Sequence, residues 1–146
     1  GEGIFSYGSL LAINGDHYTG GFQNNIYWGK GTLKTVDGST YTGTFEEGEY
    51  SGFGILNDNA GSVYSGEFLS RLPNGQGVQT DQSGVVYSGS WSNGEKDGDG
   101  TLDFGDGTSY TGKFLSGLAI EGFYDWGDGA ITNSFQDDNG NWVDRE

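Results

Sequence analysis

One spacing governs most of this sequence. A tyrosine, a glycine and a second aromatic residue, each separated by one residue, recur every 23 residues. A fixed period of this length is the signature of stacked structural repeats. Because alternate residues of a strand point to the same side, each triplet predicts a β-strand with its three members on one face. The triplets are Tyr18, Gly20 and Phe22; Tyr41, Gly43 and Phe45; Tyr64, Gly66 and Phe68; Tyr87, Gly89 and Trp91; and Tyr110, Gly112 and Phe114.

Two further glycine elements keep the same period. A Gly-x-Gly pair followed two residues later by an apolar residue, as at Gly52, Gly54 and Leu56, predicts a second strand in each repeat. A single glycine three residues before each tyrosine predicts a chain reversal at a residue with positive φ. Each repeat therefore predicts one β-hairpin. The turn glycines are Gly15, Gly38, Gly61, Gly84 and Gly107.

Glycine weakens a strand interior, so its periodic use predicts the close approach of a ring over the bare backbone. We expect the tyrosines and their partner rings to stack from repeat to repeat into an aromatic ladder, each ring burying about 150–250 Å². The residue after each tyrosine carries a hydroxyl and is expected on the opposite, solvated face. This recurring hydroxyl residue indicates either β-propensity alone or a row of hydroxyls that binds a partner. These residues are Thr19, Thr42, Ser65, Ser88 and Thr111.

Composition narrows the class of protein. The chain has 30 glycines, one proline and 15% aromatic residues, which excludes collagen and is untypical of disorder. Its net charge of −15 and its six scattered lysines and arginines disfavour binding to nucleic acid or to anionic lipid. The absence of cysteine leaves the compartment open. The sequence therefore predicts an acidic, glycine-rich, all-β repeat protein.

The repeat boundaries follow from the period. We expect one repeat domain over residues 1–146, opening in mid-repeat at about 6–17, which suggests a piece of a longer chain. At about 4.8 Å per strand, the array would be elongated, spanning roughly 50 Å. Full repeats are predicted at about 18–40, 41–63, 64–86, 87–109 and 110–130, with a degenerate C-terminal cap at about 131–146.

These motifs resemble the MORN repeat (membrane occupation and recognition nexus) over about residues 6–135. The resemblance implies an elongated array of stacked antiparallel hairpins. It also implies scaffolding or targeting work in cytoplasmic, cytoskeletal or ciliary assemblies, with no catalysis by the repeats themselves. Phospholipid binding is proposed for the family, but the stretch before Gly-x-Gly, often rich in lysine and arginine, reads here Glu49-Tyr50-Ser51 and Glu95-Lys96-Asp97.

The sequence offers little material for catalysis or metal binding. His17 is the only histidine, and its place before Tyr18 is an ordinary strand position in the other repeats. Aspartates and asparagines cluster in turns such as Asp137-Asp138-Asn139, where turn chemistry explains them more simply than Ca²⁺ does. We predict no enzyme, no cofactor and no metal site.

The leading hypothesis is a non-enzymatic scaffold that binds a protein partner, and the acidity predicts a basic one. A second hypothesis is a structural subunit that joins end to end into filaments. A third is a targeting or regulatory repeat array within a larger enzyme or membrane-associated protein. Aromatic residues outside the repeat pattern are candidates for a partner surface or for packing, namely Tyr27, Trp28, Tyr50, Phe53 and Trp126.

Overall fold

The computed structural model describes residues 5–145, and its regular secondary structure in that range is all-β, as predicted. Thirteen antiparallel strands form a sheet in which strand order follows chain order. The chain divides into two compact units between Pro73 and Asn74, within β7. The strands are β1 Phe5–Leu11, β2 His17–Gln23, β3 Ile26–Lys34, β4 Thr40–Glu46, β5 Glu49–Asn57, β6 Val63–Leu69, β7 Leu72–Thr80, β8 Val86–Ser92, β9 Glu95–Asp103, β10 Ser109–Leu115, β11 Leu118–Asp125, β12 Ile131–Gln136 and β13 Trp142–Asp144.

Each repeat forms the predicted hairpin. Its two strands are joined by a two-residue turn in which both residues have positive φ, the type I′ geometry that matches strand twist. The turn at Glu47 (φ 52°) and Gly48 (φ 84°) is an example. Between repeats the chain reverses at the predicted turn glycine, where Gly38 has φ 97° and its N–H donates to the Thr35 carbonyl at 3.0 Å. Both turn types recur along the chain.

The strand glycines lie opposite one another across the sheet and form a row. In the first unit the row runs through Gly8, Gly20, Gly31, Gly43, Gly54 and Gly66, and in the second through Gly77, Gly89, Gly100, Gly112 and Gly122.

Tyrosine side chains lie against eight of these glycines, as predicted. A Cβ built on Gly54 would lie 2.4 Å from the Tyr41 hydroxyl oxygen and 2.5 Å from its Cε2 atom. The hydroxyl then donates to the Thr44 carbonyl at 2.8 Å, which satisfies a polar group within the core. The same bond to the residue three positions on is made by Tyr18, Tyr64, Tyr87 and Tyr110.

The aromatic ladder forms in both units. Tyr41 meets Phe45 of its own repeat edge to face at 5.1 Å, and Phe68 of the next repeat at the same distance. In the second unit Tyr87 contacts Trp91 at 5.1 Å and Phe114 at 5.0 Å. These edge-to-face contacts add to the apolar burial. We call this side of the sheet the ladder face, defined by the repeat tyrosines and their partner rings.

The last strands depart from the repeat. Ser134 takes the glycine position opposite Gly122, and its hydroxyl donates to the Asp144 carboxylate at 2.8 Å. Trp142, from β13, packs against Tyr110 at 4.9 Å. A capping role for residues 131–146 stays a prediction. None of the described residues belongs to a helix long and apolar enough to cross a bilayer.

We predict that Gly54→Ala destabilises the protein by roughly 1–3 kcal/mol, because the new methyl group overpacks the Tyr41 ring. The matched control is Gly8→Ala, since a Cβ there meets its nearest atom, Phe22 Cε2, at 3.9 Å. We expect the control to change the free energy of unfolding by less than about 0.5 kcal/mol. Urea unfolding measures both, and equal losses at the two positions would contradict the covering role of the ring.

Burial raises the pKa of Tyr18, Tyr41, Tyr64 and Tyr87 to about 12. An unfolded tyrosine ionises near pH 10, so above that pH the unfolded state releases protons that the folded state retains. We therefore expect the free energy of unfolding to fall as pH rises above about 10. Urea midpoints measured between about pH 8 and pH 11 test this, and a flat profile would contradict it.

Tyr41→Phe supplies the control for that pH profile. The variant should lose about 1 kcal/mol near neutral pH, because the hydrogen bond to the Thr44 carbonyl is gone. Its free energy of unfolding should fall less steeply at alkaline pH than that of the parent protein, because the variant has one fewer buried tyrosine with a raised pKa.

Candidate functional site: the open face of the first unit

The side chains on either side of the glycine row point away from the ladder, and we call this side of the sheet the open face. One row of open-face residues lies beside the glycines in register. Thr32 and Thr42 are directly paired, and their hydroxyl oxygens lie 3.3 Å apart. The hydroxyl-bearing residue that follows each tyrosine therefore lies on the face opposite the ladder, as predicted. In the first unit this row is Ser9, Thr19, Thr32, Thr42, Ile55 and Ser65.

An open depression of about 500 Å³ lies on this face, with Gly31, Gly43 and Gly54 among its lining residues. Apolar side chains line it and remain in water: Tyr7 is 77% exposed and Phe53 is 62% exposed. Exposed apolar surface gathered in a concavity is typical of a binding site. Its polar lining consists of Lys30 and of the hydroxyls of Thr19, Thr32, Thr42 and Thr44.

The hairpin end of the same unit is acidic. A second depression of about 460 Å³ is lined by Glu46, Glu47 and Glu49, together with Tyr50, Ser51, Leu69 and Ser70. Glu46 and Glu49 are directly opposite each other across the turn between β4 and β5. Like charges placed opposite one another destabilise a strand pair. This turn therefore carries an electrostatic cost.

The structure separates the predicted partner-surface residues. Tyr27 stacks on Tyr18 at 3.8 Å, and Tyr50 stacks on Tyr41 at 3.9 Å with only 7% of its surface exposed. Both belong to the ladder face. Phe53 alone among the five predicted residues lines the depression. A partner surface at these residues stays a prediction.

The other two predicted aromatic residues lie outside the depression. Trp28 is partly exposed, and its carbonyl oxygen approaches the backbone of Gly21. Trp126 belongs to the second unit, is 44% exposed, and donates its indole N–H to the Thr132 hydroxyl at 3.0 Å.

The ladder slot filled by Tyr50 holds Lys96 in the repeat that begins at Tyr87. The Lys96 ammonium lies 5.6 Å from the Tyr87 ring centroid and 5.9 Å from that of Trp91, a cation–π arrangement. Burial lowers the pKa of Lys96, and the Asp81 carboxylate opposes that shift. The slot therefore accepts a cation as well as a ring.

Sequence reasoning missed most of the residues that line the first depression. Tyr7, Thr44 and Ile55 were not predicted as site residues, although each stands beside a glycine of the row. Their position next to a periodic strand glycine is the sequence signal that could have identified them. The two neighbours of a strand glycine must point to the face opposite the ladder.

His17 and the aspartate turns have structural explanations. The His17 Nε2 atom lies 2.7 Å from the Ser9 hydroxyl, and both groups are exposed to water. A catalytic pair normally acts in a desolvated site. Within residues 5–145, no group of three acidic, histidine or cysteine side chains is arranged to hold a metal ion.

The aspartate turns use their carboxylates as backbone acceptors. Asp81 accepts from the Ser83 and Val85 N–H groups at 2.9 and 3.0 Å. Its pKa is lowered chiefly by the hydrogen bond from the Ser83 side chain. The carboxylates of Asp58 and Asp137 accept two backbone N–H groups in the same way.

The repeat geometry agrees with a comparison against known families. The MORN repeat model matches residues 18–40, 41–63, 64–86 and 87–109, more than half of the 146-residue chain. No curated protein sequence matches the chain significantly. MORN repeats generally mediate interactions with proteins or membranes, and the family is generally non-catalytic. With the tyrosine–glycine ladder in both units and four tandem matches, this chain belongs to the MORN repeat family.

Proposed function

We propose that this protein is a non-enzymatic interaction module that binds a segment of a protein partner on the open face of the first unit. The observation that carries the proposal is the depression of about 500 Å³ over the glycine row, lined by exposed Phe53, Tyr7 and Ile55. The exposed apolar surface is a cost in water, and covering it would favour binding.

The chemistry of the depression favours an extended segment. Its polar groups are hydroxyls and one ammonium, which can hydrogen-bond to main-chain or side-chain groups of a bound chain. Its apolar walls can contact one or two apolar side chains of the bound segment. Binding of this type gains affinity from a few anchors and specificity from the surrounding polar groups.

A protein partner is favoured over a membrane by charge. The chain carries 21 acidic residues against six lysines and arginines. An anionic lipid surface would repel most of that charge, and a single base, Lys30, lines the depression. Scaffolding in a larger assembly, end-to-end assembly and a regulatory role in a larger protein remain predictions.

We predict that Thr42→Arg blocks partner binding. Thr42 is exposed at the centre of the hydroxyl row and lines the depression, so a long charged side chain there would fill it. Peptides selected from a displayed random library on the parent protein should bind the variant at least about tenfold more weakly, a loss of about 1.4 kcal/mol. Fluorescence anisotropy with the selected peptides measures this.

Val36→Arg is the matched control, because it adds the same charge to the same unit at a loop position that is 73% exposed and outside the depression. It should leave peptide binding unchanged. Peptides that bind both variants equally would place the interaction elsewhere. Co-sedimentation with anionic vesicles that is lost on adding salt would overturn the choice of a protein partner.

A further inference from the structure

We infer that the segment bound on the open face carries an apolar residue followed closely by a lysine or arginine, with the apolar side chain over the glycine row and the basic one at the glutamate turn. This inference rests on the proposed function and names the chemistry of its partner. It follows from three features of the first unit: the place of the second depression, the charge within each depression, and the pairing of Glu46 with Glu49.

The two depressions adjoin along β4, and the second also reaches Tyr50 of the ladder face. Thr44 lines the first and Glu46 lines the second. Both side chains point away from Phe45, which is buried in the ladder. Two residues along a strand span about 6.8 Å, the same distance that separates alternate side chains of an extended ligand. An extended segment can therefore place neighbouring same-side residues in both depressions.

The two depressions differ in charge, which gives the bound segment a direction. The first contains one base, Lys30, and no acid. The second contains three glutamates and no base. The nearby Arg71 guanidinium lies over the Tyr50 ring at 5.4 Å, and its Nη2 atom donates to the Gly48 carbonyl in the glutamate turn at 3.5 Å. Within residues 5–145 no ion pair joins a base to these glutamates. A cation of the partner is therefore attracted to the second depression and repelled from the first.

The facing glutamates supply the third argument. Glu46 and Glu49 are direct cross-strand partners, a like-charge pair that weakens the hairpin. The corresponding pairs in three other hairpins are Gln23 with Ile26, Ser92 with Glu95, and Leu115 with Leu118, none of which opposes like charges. A local arrangement that opposes folding is expected where function requires it. A bound ammonium or guanidinium between the two carboxylates would remove the repulsion.

The test uses three labelled serine-rich peptides, each with one phenylalanine. Two positions after the phenylalanine, the first peptide carries lysine, the second serine and the third glutamate. We expect the parent protein to bind the lysine peptide most tightly and the glutamate peptide least tightly. In the double variant Glu46→Gln, Glu49→Gln, the lysine peptide should weaken roughly twofold to fivefold for each charge removed, whereas the serine peptide should be unaffected. Fluorescence anisotropy gives the affinities.

Stability provides a readout that separates recognition from folding. Because the substitution removes like-charge repulsion, the double glutamine variant should unfold at a higher temperature than the parent protein while binding the lysine peptide more weakly. The control is Glu95→Gln with Glu121→Gln, which makes the same change in net charge at exposed positions of the second unit. Charge reversal, Glu46→Lys with Glu49→Lys, should invert the preference in favour of the glutamate peptide.

The outcomes distinguish this inference from the proposed function. Equal binding of the three peptides, abolished by Thr42→Arg, would overturn the basic-partner inference alone. So would an equal loss of lysine-peptide binding in the control variant, because that would report net charge only. If library peptides bind in a Thr42-dependent manner but none of the three designed peptides does, the inference also fails. Absence of Thr42-dependent binding by any peptide would overturn both.

Discussion

A tyrosine ring lying against two facing glycines is the contact on which the rest of this structure depends. The Tyr41 ring occupies the space that side chains on Gly43 and Gly54 would fill, and its hydroxyl donates to the Thr44 carbonyl of its own strand. The ring thereby replaces the layer of side chains that normally covers a sheet. With so few aliphatic residues, the sheet obtains its buried surface from rings placed directly on the backbone.

Because of this contact, the two faces of the sheet are under different steric constraints. The ladder face is committed to packing, because a Cβ added at most row glycines, such as Gly43 or Gly54, would collide with a tyrosine or the facing backbone. The open face has no such constraint, since its residues stand beside the glycines and point away from the rings. Threonine, isoleucine, phenylalanine and glutamate all occupy it in the first unit. Side chains can therefore vary on one face while the fold is held by the other.

Much of this arrangement was predictable, because it depends on spacing. The hairpins, the turn glycines, the glycine-covering rings and the opposite placement of the hydroxyls all follow from positions that repeat every 23 residues. Irregular positions were harder. Tyr27 and Tyr50 lie one period apart, but the next two repeats carry Pro73 and Lys96 at that position. The stacking on Tyr18 and Tyr41 is what assigns the two tyrosines to the ladder. Phe53 lines the depression at a position beside the glycine row where the other repeats carry Lys30, Gln76, Asp99 and Glu121, so the period could not single it out. The contact of Trp142 with Tyr110 joins residues without a common period, so spacing could not predict it.

The regular spacing of the glycine row also fixes the distances between side chains on the open face. Because each repeat contributes two strands about 4.8 Å apart, a step of 23 residues along the chain becomes a sideways step of about 10 Å across the sheet. Removing one whole repeat within a unit would keep rings over glycines on the ladder face, yet it would bring groups on the open face closer by that fixed amount. The spacing between open-face side chains in such a protein therefore changes in steps of one repeat. A change in repeat number alters the distances between open-face groups in discrete increments, while a point substitution alters the chemistry at a single position.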